Sequence, residues 1–459
     1  MASKQVHVNV DELTLDDFLK LLPDCAPCAQ VLGVHLVAQS ALSSYEEFLE
    51  ERKLIGKATE SVTTETAKER DPIFLQDADI VIDTDRLDWF ARCFQSERFR
   101  VVSSLPRARK DVAVVLWDSE HRFTRLDKDP FGRVLLGHSY GSCENWLTCK
   151  DALATMIDDT HGRVPWFPES YRICKESGES GSLRNNFLPF LGAFLRDRGA
   201  PWIIKPASEA RSRGIVVSAE LNVLLAAIYN ILNSGGNVCV ACRYVSRPVL
   251  LKQHKFDLRF VVAVRSSEPL ELFVYDYFVV RRALKEYKLD FEDQLQHLTV
   301  VQYLFRDPRF AGPLEMPGDD LPRTEDAIRW LEENRPDLNV ETIIADCHNL
   351  ILELFHTACG GYLGEAGERM GIIPHDKVRA VYGIDILLEE RGNGVVQPLL
   401  LECNYKPDNR RLLEQRPQFL DHTFNLHFPP DASGRYWREL EGAETSRQPS
   451  STGGFIRLQ

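Results

Sequence analysis

The sequence predicts an α/β (α+β) fold built from two or three packed subdomains. Three observations carry that prediction. The chain has 459 residues, more than one ordinary hydrophobic core accommodates. Its composition, 44% hydrophobic and 27% charged, is that of a folded protein. Short apolar runs with strand character alternate with segments of helical period along most of its length.

Residues 1–72 read as an acidic N-terminal segment, with short amphipathic helices at Leu13–Leu22 and Tyr45–Leu54 and a linker at Thr59–Arg70. Residues 73–145 read as a small α/β subdomain: strands at Ile80–Ile82, Phe99–Val102 and Val112–Leu116, and a helix at Leu87–Phe94. Residues 146–430 form the main body. It opens with a helix at Asp151–Asp158 and a turn-rich stretch, Val164–Ser170. Strands are expected at Trp202–Lys205 and Ile215–Val217, then a helix at Leu221–Leu232. Cys239–Val245, Val249–Leu251, Asp257–Val264 and Leu270–Val280 follow as strands. Asp307–Leu338 is proline-broken with a short helix at Glu325–Glu333, and Ile343, Cys347, Leu350, Ile351, Leu354 and Phe355 repeat as one helix face. Val381–Leu388 and Val395–Cys403 close the body as strands, and residues 431–459 read as a loose polar tail.

Bulk properties exclude several classes. No apolar stretch is long enough to span a membrane, and Met1–Val10 has no secretory pattern, so a cytoplasmic location is expected. A net charge of −13 argues against general nucleic-acid binding. Positive charge is gathered locally between Arg243 and Lys288. The eleven cysteines read as free thiols. Cys25 with Cys28 and Cys239 with Cys242 have metal-like spacing, but the pairs lie over two hundred residues apart and the second alternates with apolar residues as a buried strand does.

The chemistry concentrates in three places. Lys205 ends a strand just before Pro206, where a compact cation suits a phosphate. Lys255, Asp257 and Arg259 are spaced by two and share one face of a strand, two cations suited to phosphates or a carboxylate and one acid suited to a ribose hydroxyl. Asp385 lies between Ile384 and Ile386, while Glu402 and Asn404 project together from the last strand. If those two strands pair, two carboxylates and an amide converge as hard oxygen ligands for magnesium. No Gly-x-x-x-x-Gly-Lys-Ser/Thr loop or kinase signature is present. Gly137–Gly141 (Gly-His-Ser-Tyr-Gly) has the form of a nucleophile elbow but reads as a turn, since no helix clearly follows it.

In order along the chain stand Asn145–Asp151, Pro165–Tyr171, Trp202–Pro206 with Arg213-Gly214-Ile215, Arg243–Val245, Lys255–Arg259, Val280-Arg281, Asp385 and Glu402–Asn404. As an ordered set these resemble the tubulin–tyrosine ligase-like family, whose catalytic core is an ATP-grasp fold. The resemblance covers residues 74 to 430. It implies an ATP- and Mg2+-dependent ligase that joins an amino acid to a protein such as tubulin or microtubules through an acyl-phosphate. It implies further that Lys150, Lys205, Arg213 and Gly214 serve the ATP phosphates. Cys242, Arg243, Tyr244 and Val245 would line the adenine, and Lys255 and Asp257 the ribose. Arg259 and Arg281 would steady the acceptor carboxylate, and Asp385, Glu402 and Asn404 would bind magnesium.

Two departures keep a second reading open. The family's hinge glutamine is Cys242 here, and its serine- and glycine-rich phosphate loop is Ala207–Ser212 with an acid, Glu209, inside it. A catalytically inactive relative that binds nucleotide or tubulin as a scaffold accounts for both. A small-molecule ligase of the same fold is the third reading.

Overall fold

The computed structural model describes residues 80–83, 94–95, 99–102, 113–116, 135–137, 145–174, 186–207, 214–233, 238–267, 269–300, 323–360, 362–363, 369–370, 379–405, 407–427 and 453–459. The helices expected at Leu13–Leu22 and Tyr45–Leu54, the linker at Thr59–Arg70, residues 87–93 of the next expected helix, Cys25, Cys28, Glu209 and Arg213 lie outside them.

Four short strands, β1 (Ile80–Asp83), β2 (Phe99–Val102), β3 (Ala113–Leu116) and β4 (Leu135–Gly137), form a parallel sheet in the order β2-β1-β3-β4. α1 (Asn145–Thr148) and α2 (Lys150–His161) follow, then β5 (Ser170–Cys174) and α3 (Phe187–Arg196). Neither β5 nor α3 was expected. α3 repeats Phe187, Phe190, Leu191 and Phe194 at helical spacing, and carries Pro189 in its first turn, where no backbone N–H is needed; the proline masks a helix that the spacing itself supports. β6 (Trp202–Pro206), β7 (Val216–Ser218), α4 (Leu221–Asn233) and β8 (Val238–Arg243) match the expected elements to within a few residues.

β9 (Leu250–Leu251) turns into β10 (His254–Ser267) through Lys252 and Gln253, both in the left-handed region as a two-residue hairpin of this twist requires. The single strand expected over Leu270–Val280 is two, β11 (Leu270–Tyr275) and β12 (Val279–Arg282), both antiparallel to β10, because Asp276–Phe278 leave the ladder and put two extra residues between the pairs Val262–Val274 and Arg259–Val279. α5 (Thr324–Asn334) and α6 (Val340–Gly360) are followed by the two-residue strands β13 (Tyr362–Leu363) and β14 (Arg369–Met370). The long strands β15 (Ala380–Gly392) and β16 (Val395–Tyr405), α7 (Arg410–Gln415) and α8 (Phe419–His427) complete the body. The polar tail was expected to be loose to its end; instead Phe455–Leu458 form β17, paired antiparallel with β11.

The described residues divide into two compact units. One contains residues 168–246 and 283–300. Its antiparallel sheet, in the order β5-β8-β6-β7, packs against α3 and α4 around Phe190, Trp202, Ile204, Leu224 and Ile228. The other holds residues 80–167, 247–282 and 323–459 as far as they are described. Its main sheet runs β16-β15-β10-β11-β17, with β9 and β12 also paired to β10. The antiparallel sheets and flanking helices are those of an ATP-grasp-type ligase core.

β10 organises this second unit. Phe256, Leu258, Phe260, Val262 and Val264 point to one face and join a core with Phe355, Tyr382 and Ile384. On the other face Asp257 and Arg259 give way to Val261 and Ala263, which pack with Phe419 and Phe424 of α8. From Phe256 to Val264 one face is therefore apolar, while the other changes from charged at Asp257 and Arg259 to apolar at Val261 and Ala263. The charged part is where function is to be sought.

Candidate functional site

On the charged face of the second unit, strand pairing brings distant residues together. Register places Arg259 opposite Asp385, Asp385 opposite Glu402, Gly383 opposite Asn404, and Asp257 opposite Arg281. The pairing of β15 with β16 that the magnesium set required is present. A bulge at Leu401 adjusts it: Ile386 pairs with Leu400, but Asp385 pairs with Glu402. Leu400 thus stays in the apolar core while Glu402, two residues on, turns to the charged face.

Asp385 is fully buried. Arg259 donates to it through Nε and, at 2.7 Å, through Nη2, and Arg281 Nη2 lies 2.8 Å from Oδ2. Arg281 Nε also donates to Asp257 Oδ1 at 2.6 Å. Asp257, suited by sequence to a ribose hydroxyl, is buried, and its Oδ1 accepts from this arginine. Glu402 keeps 27% of its side chain exposed and lies 3.6 Å from Lys150 Nζ, 3.9 Å from Arg259 Nη2 and 3.1 Å from Asn404 Nδ2.

Burial pushes the Asp385 carboxyl up to about 6, against the pull of Arg259 and Arg281. Burial also opposes ionisation of Glu402. Lys150, a hydrogen bond from Asp385 and the two arginines outweigh it and hold Glu402 well below the usual carboxylate range. The pair shares its proton unevenly, favouring Asp385. Arg281, despite burial, is raised by Asp257 and Asp385.

Among the described residues no three His, Cys, Asp or Glu side chains are grouped to hold a metal. The candidate set of two acids and an amide is of a different kind. Glu402 is accessible, and Asn404 sits beside it and presents an amide oxygen once its amide group is turned. Asp385 Oδ1 receives only Arg259 Nε among its hydrogen bonds above, which leaves acceptor capacity on it. These hard oxygen donors fit magnesium.

In the first unit, Lys205 lies on β6 just before Pro206, paired across to Val240. Gly214 has φ +66, and a Cβ on it would meet Pro206 Cγ at 2.9 Å, so both backbone and space call for glycine. Arg243 is bonded to Asp197 and lies over the Trp202 ring. Cys242 is a buried free thiol in β8. Tyr244 is buried and its hydroxyl lies 2.8 Å from His297 Nδ1; His297 Nε2 lies 2.8 Å from the Asp290 carbonyl, to which it donates. Tyr287 donates to the Ser246 carbonyl at 3.0 Å, and Phe291 stacks on His297. Lys255 is buried at the start of β10.

Sequence reasoning assigned no role to Tyr287 or His297. They brace residues 244–246 from over forty positions away, and no local pattern points to them.

A model of the Tubulin-tyrosine ligase family matches residues 139–435, which include every candidate residue above. The chain belongs to the tubulin-tyrosine ligase family. It is 29% identical over 299 residues to tubulin–tyrosine ligase-like protein 12 of Caenorhabditis briggsae, covering 62% of this chain and 40% of that protein. To the protein of the same name from Homo sapiens it is 30% identical over 308 residues, covering 64% of this chain and 43% of that one. A tubulin polyglutamylase of Mus musculus is 27% identical over 57% of this chain and 18% of its own length. The chain thus spans less than half the length of these relatives. No helix among the described residues of this family member is long and apolar enough to cross a membrane.

Proposed function

We propose that this family member is an ATP- and magnesium-dependent carboxylate–amine ligase that adds an amino acid to a protein substrate such as the tail of tubulin. The observation that carries the reading is the cluster on α2, β10, β12, β15 and β16. Arg259, Arg281 and Lys150 are gathered with Asp385, Glu402 and Asn404 at distances of 2.7 to 3.9 Å. Such an array stabilises charge and orients oxygen atoms, which is what ligation by phosphoryl transfer asks of a protein. The names of relatives, a tubulin polyglutamylase among them, support tubulin as substrate.

In this reading a substrate carboxylate oxygen attacks the γ-phosphorus of ATP and ADP leaves. An amine then attacks the acyl carbon, phosphate leaves, and the amine gives up a proton. Magnesium, when bound, offsets triphosphate charge, and Asp385, Glu402 and Asn404 are the residues to hold it. Arg259 and Arg281 hold the carboxylate and the anionic acyl-phosphate. Asp257 and Asp385 keep the guanidiniums in place before substrate arrives, so little reorganisation is needed at reaction. Lys205, Gly214 and the 242–245 stretch serve the nucleotide, with Arg213 as a further phosphate contact. The expected location is the cytoplasm or cytoskeleton.

Incorporation of radiolabelled tyrosine, glutamate or glycine into tubulin tests this, with Glu402→Gln as control. Label transferred by the wild type and lost in the variant is the expected result. Incorporation unchanged by Glu402→Gln refutes the metal assignment.

Two observations favour a second reading, a nucleotide- or tubulin-binding scaffold without turnover. Both Asp385 oxygens are already engaged by arginines, and the hinge offers Cys242 in place of an amide side chain. Binding of magnesium–ATP with no ligation of any of the three amino acids decides for the scaffold.

A further inference from the structure

β15 carries a glycine, Gly383, in its interior. Its φ lies outside the left-handed region, so the backbone does not require glycine. A strand-interior glycine costs conformational entropy and packs nothing, and it often marks a close approach. That approach is present. A Cβ on Gly383 would lie 2.7 Å from Pro407 Cβ, 3.1 Å from Pro407 Cγ and 3.1 Å from Arg259 Cδ. Pro407 is buried and follows Asn404 by three residues. Gly383 pairs with Val261 on one side and Asn404 on the other. The aliphatic stem of Arg259 and the ring of Pro407 both border the space left by the missing side chain.

We propose that Gly383 is a positioning residue: its empty side-chain space seats Pro407 against the stem of Arg259, fixing the reach of that guanidinium toward Asp385 and Glu402 and the path of the chain bearing Asn404. The seating concerns only this unit's packing; its effect on turnover rests on the ligase reading.

The test reads Arg259 directly. The arginine Nε–Hε resonances of the full chain are recorded by 15N–1H NMR, with that of Arg259 assigned from Arg259→Lys. Gly383→Ala is expected to shift or broaden the Arg259 resonance. Gly383→Ala with Pro407→Gly is expected to move it back toward its wild-type position, because the second change removes the Pro407 atoms at 2.7 and 3.1 Å and leaves only the approach to Arg259 Cδ. Val262→Ala, which deletes core atoms on the opposite face, is the destabilised control and leaves the resonance in place. Should Gly383→Ala not fold, Pro407→Gly alone unseats the stem from its other side and is expected to broaden the same signal. An Arg259 resonance unmoved by Gly383→Ala or not moved back toward the wild-type position in the double variant overturns the proposal, as does one left sharp by Pro407→Gly where only that variant folds. If the wild type ligates, Gly383→Ala lowers kcat about tenfold with the KM for ATP within about threefold. A wild type without ligation refutes the ligase reading, and the resonance still decides this one.

Discussion

Asp385 and Glu402 face one another across two strands, yet only Glu402 reaches solvent. Asp385 is held between two guanidiniums with no exposed surface, so removing its charge leaves Arg259 and Arg281 crowded and partly uncompensated. Asp385→Asn is therefore expected to cost about 3 kcal/mol in urea unfolding. Glu402→Gln, at a partly exposed carboxylate, is expected to cost less than about 1 kcal/mol while still abolishing label incorporation. Equal stability losses in the two variants would contradict this division of labour. Alternation in the sequence made both acids legible: Asp385 interrupts Ile384 and Ile386, and Glu402 shares a face with Asn404. It did not show that Asp257 serves Arg281. Alternation reports which face a residue is on, whereas its neighbour is set by the pairing of β10 with β12, strands 24 residues apart at that pair.

At the scale of elements, β10 was readable because its apolar positions recur every second residue. The Leu401 bulge was not. Plain alternation from buried Leu400 would place Glu402 in the core, and only the inserted residue turns it to Asp385. β17 was also missed, since four residues inside a polar tail carry little periodic signal. Its anchor is Phe455, buried against Tyr275 and Phe419, while Asp276 N–H donates to the Gly454 carbonyl at 2.8 Å. Truncation after residue 452 is expected to destabilise the second unit by about 2–3 kcal/mol, the burial of one large aromatic side chain. It also bares the edge of β11, so a rise in light scattering should accompany the loss. An unchanged urea midpoint in the truncated chain would mean that the strand adds nothing to this sheet.

For the whole molecule, fold class and the order of motifs were legible from the sequence; the resemblance was read over residues 74 to 430, and the family match covers 139–435, agreeing at the C-terminal end and beginning later at the N-terminal one. What was not legible is how the molecule responds to acid, because that depends on burial. His427, at the end of α8, is fully enclosed near Arg265 and Arg379; burial first, and then those cations, hold it well below 6.5. The unfolded chain takes up a proton there below about pH 6.5, and the folded one refuses it. The contribution is thus fully present above that pH and is lost as pH falls, at about 1.4 kcal/mol per unit. His348 and His422, lowered chiefly by burial, act in the same direction. Asp385 acts in the opposite one. Its raised folded value means the native state gains a proton as pH falls toward 6, and that term favours folding at lower pH. Since Asp385 is common to the wild type and to His427→Phe, the difference between the two isolates the histidine. Urea unfolding of both proteins at pH 7, 6 and 5 should show the wild type losing about 1 kcal/mol per unit more than the variant below pH 6.5. Parallel losses would mean that His427 is protonated in the folded chain, and that the apolar packing of α8 around it does not exclude the charge.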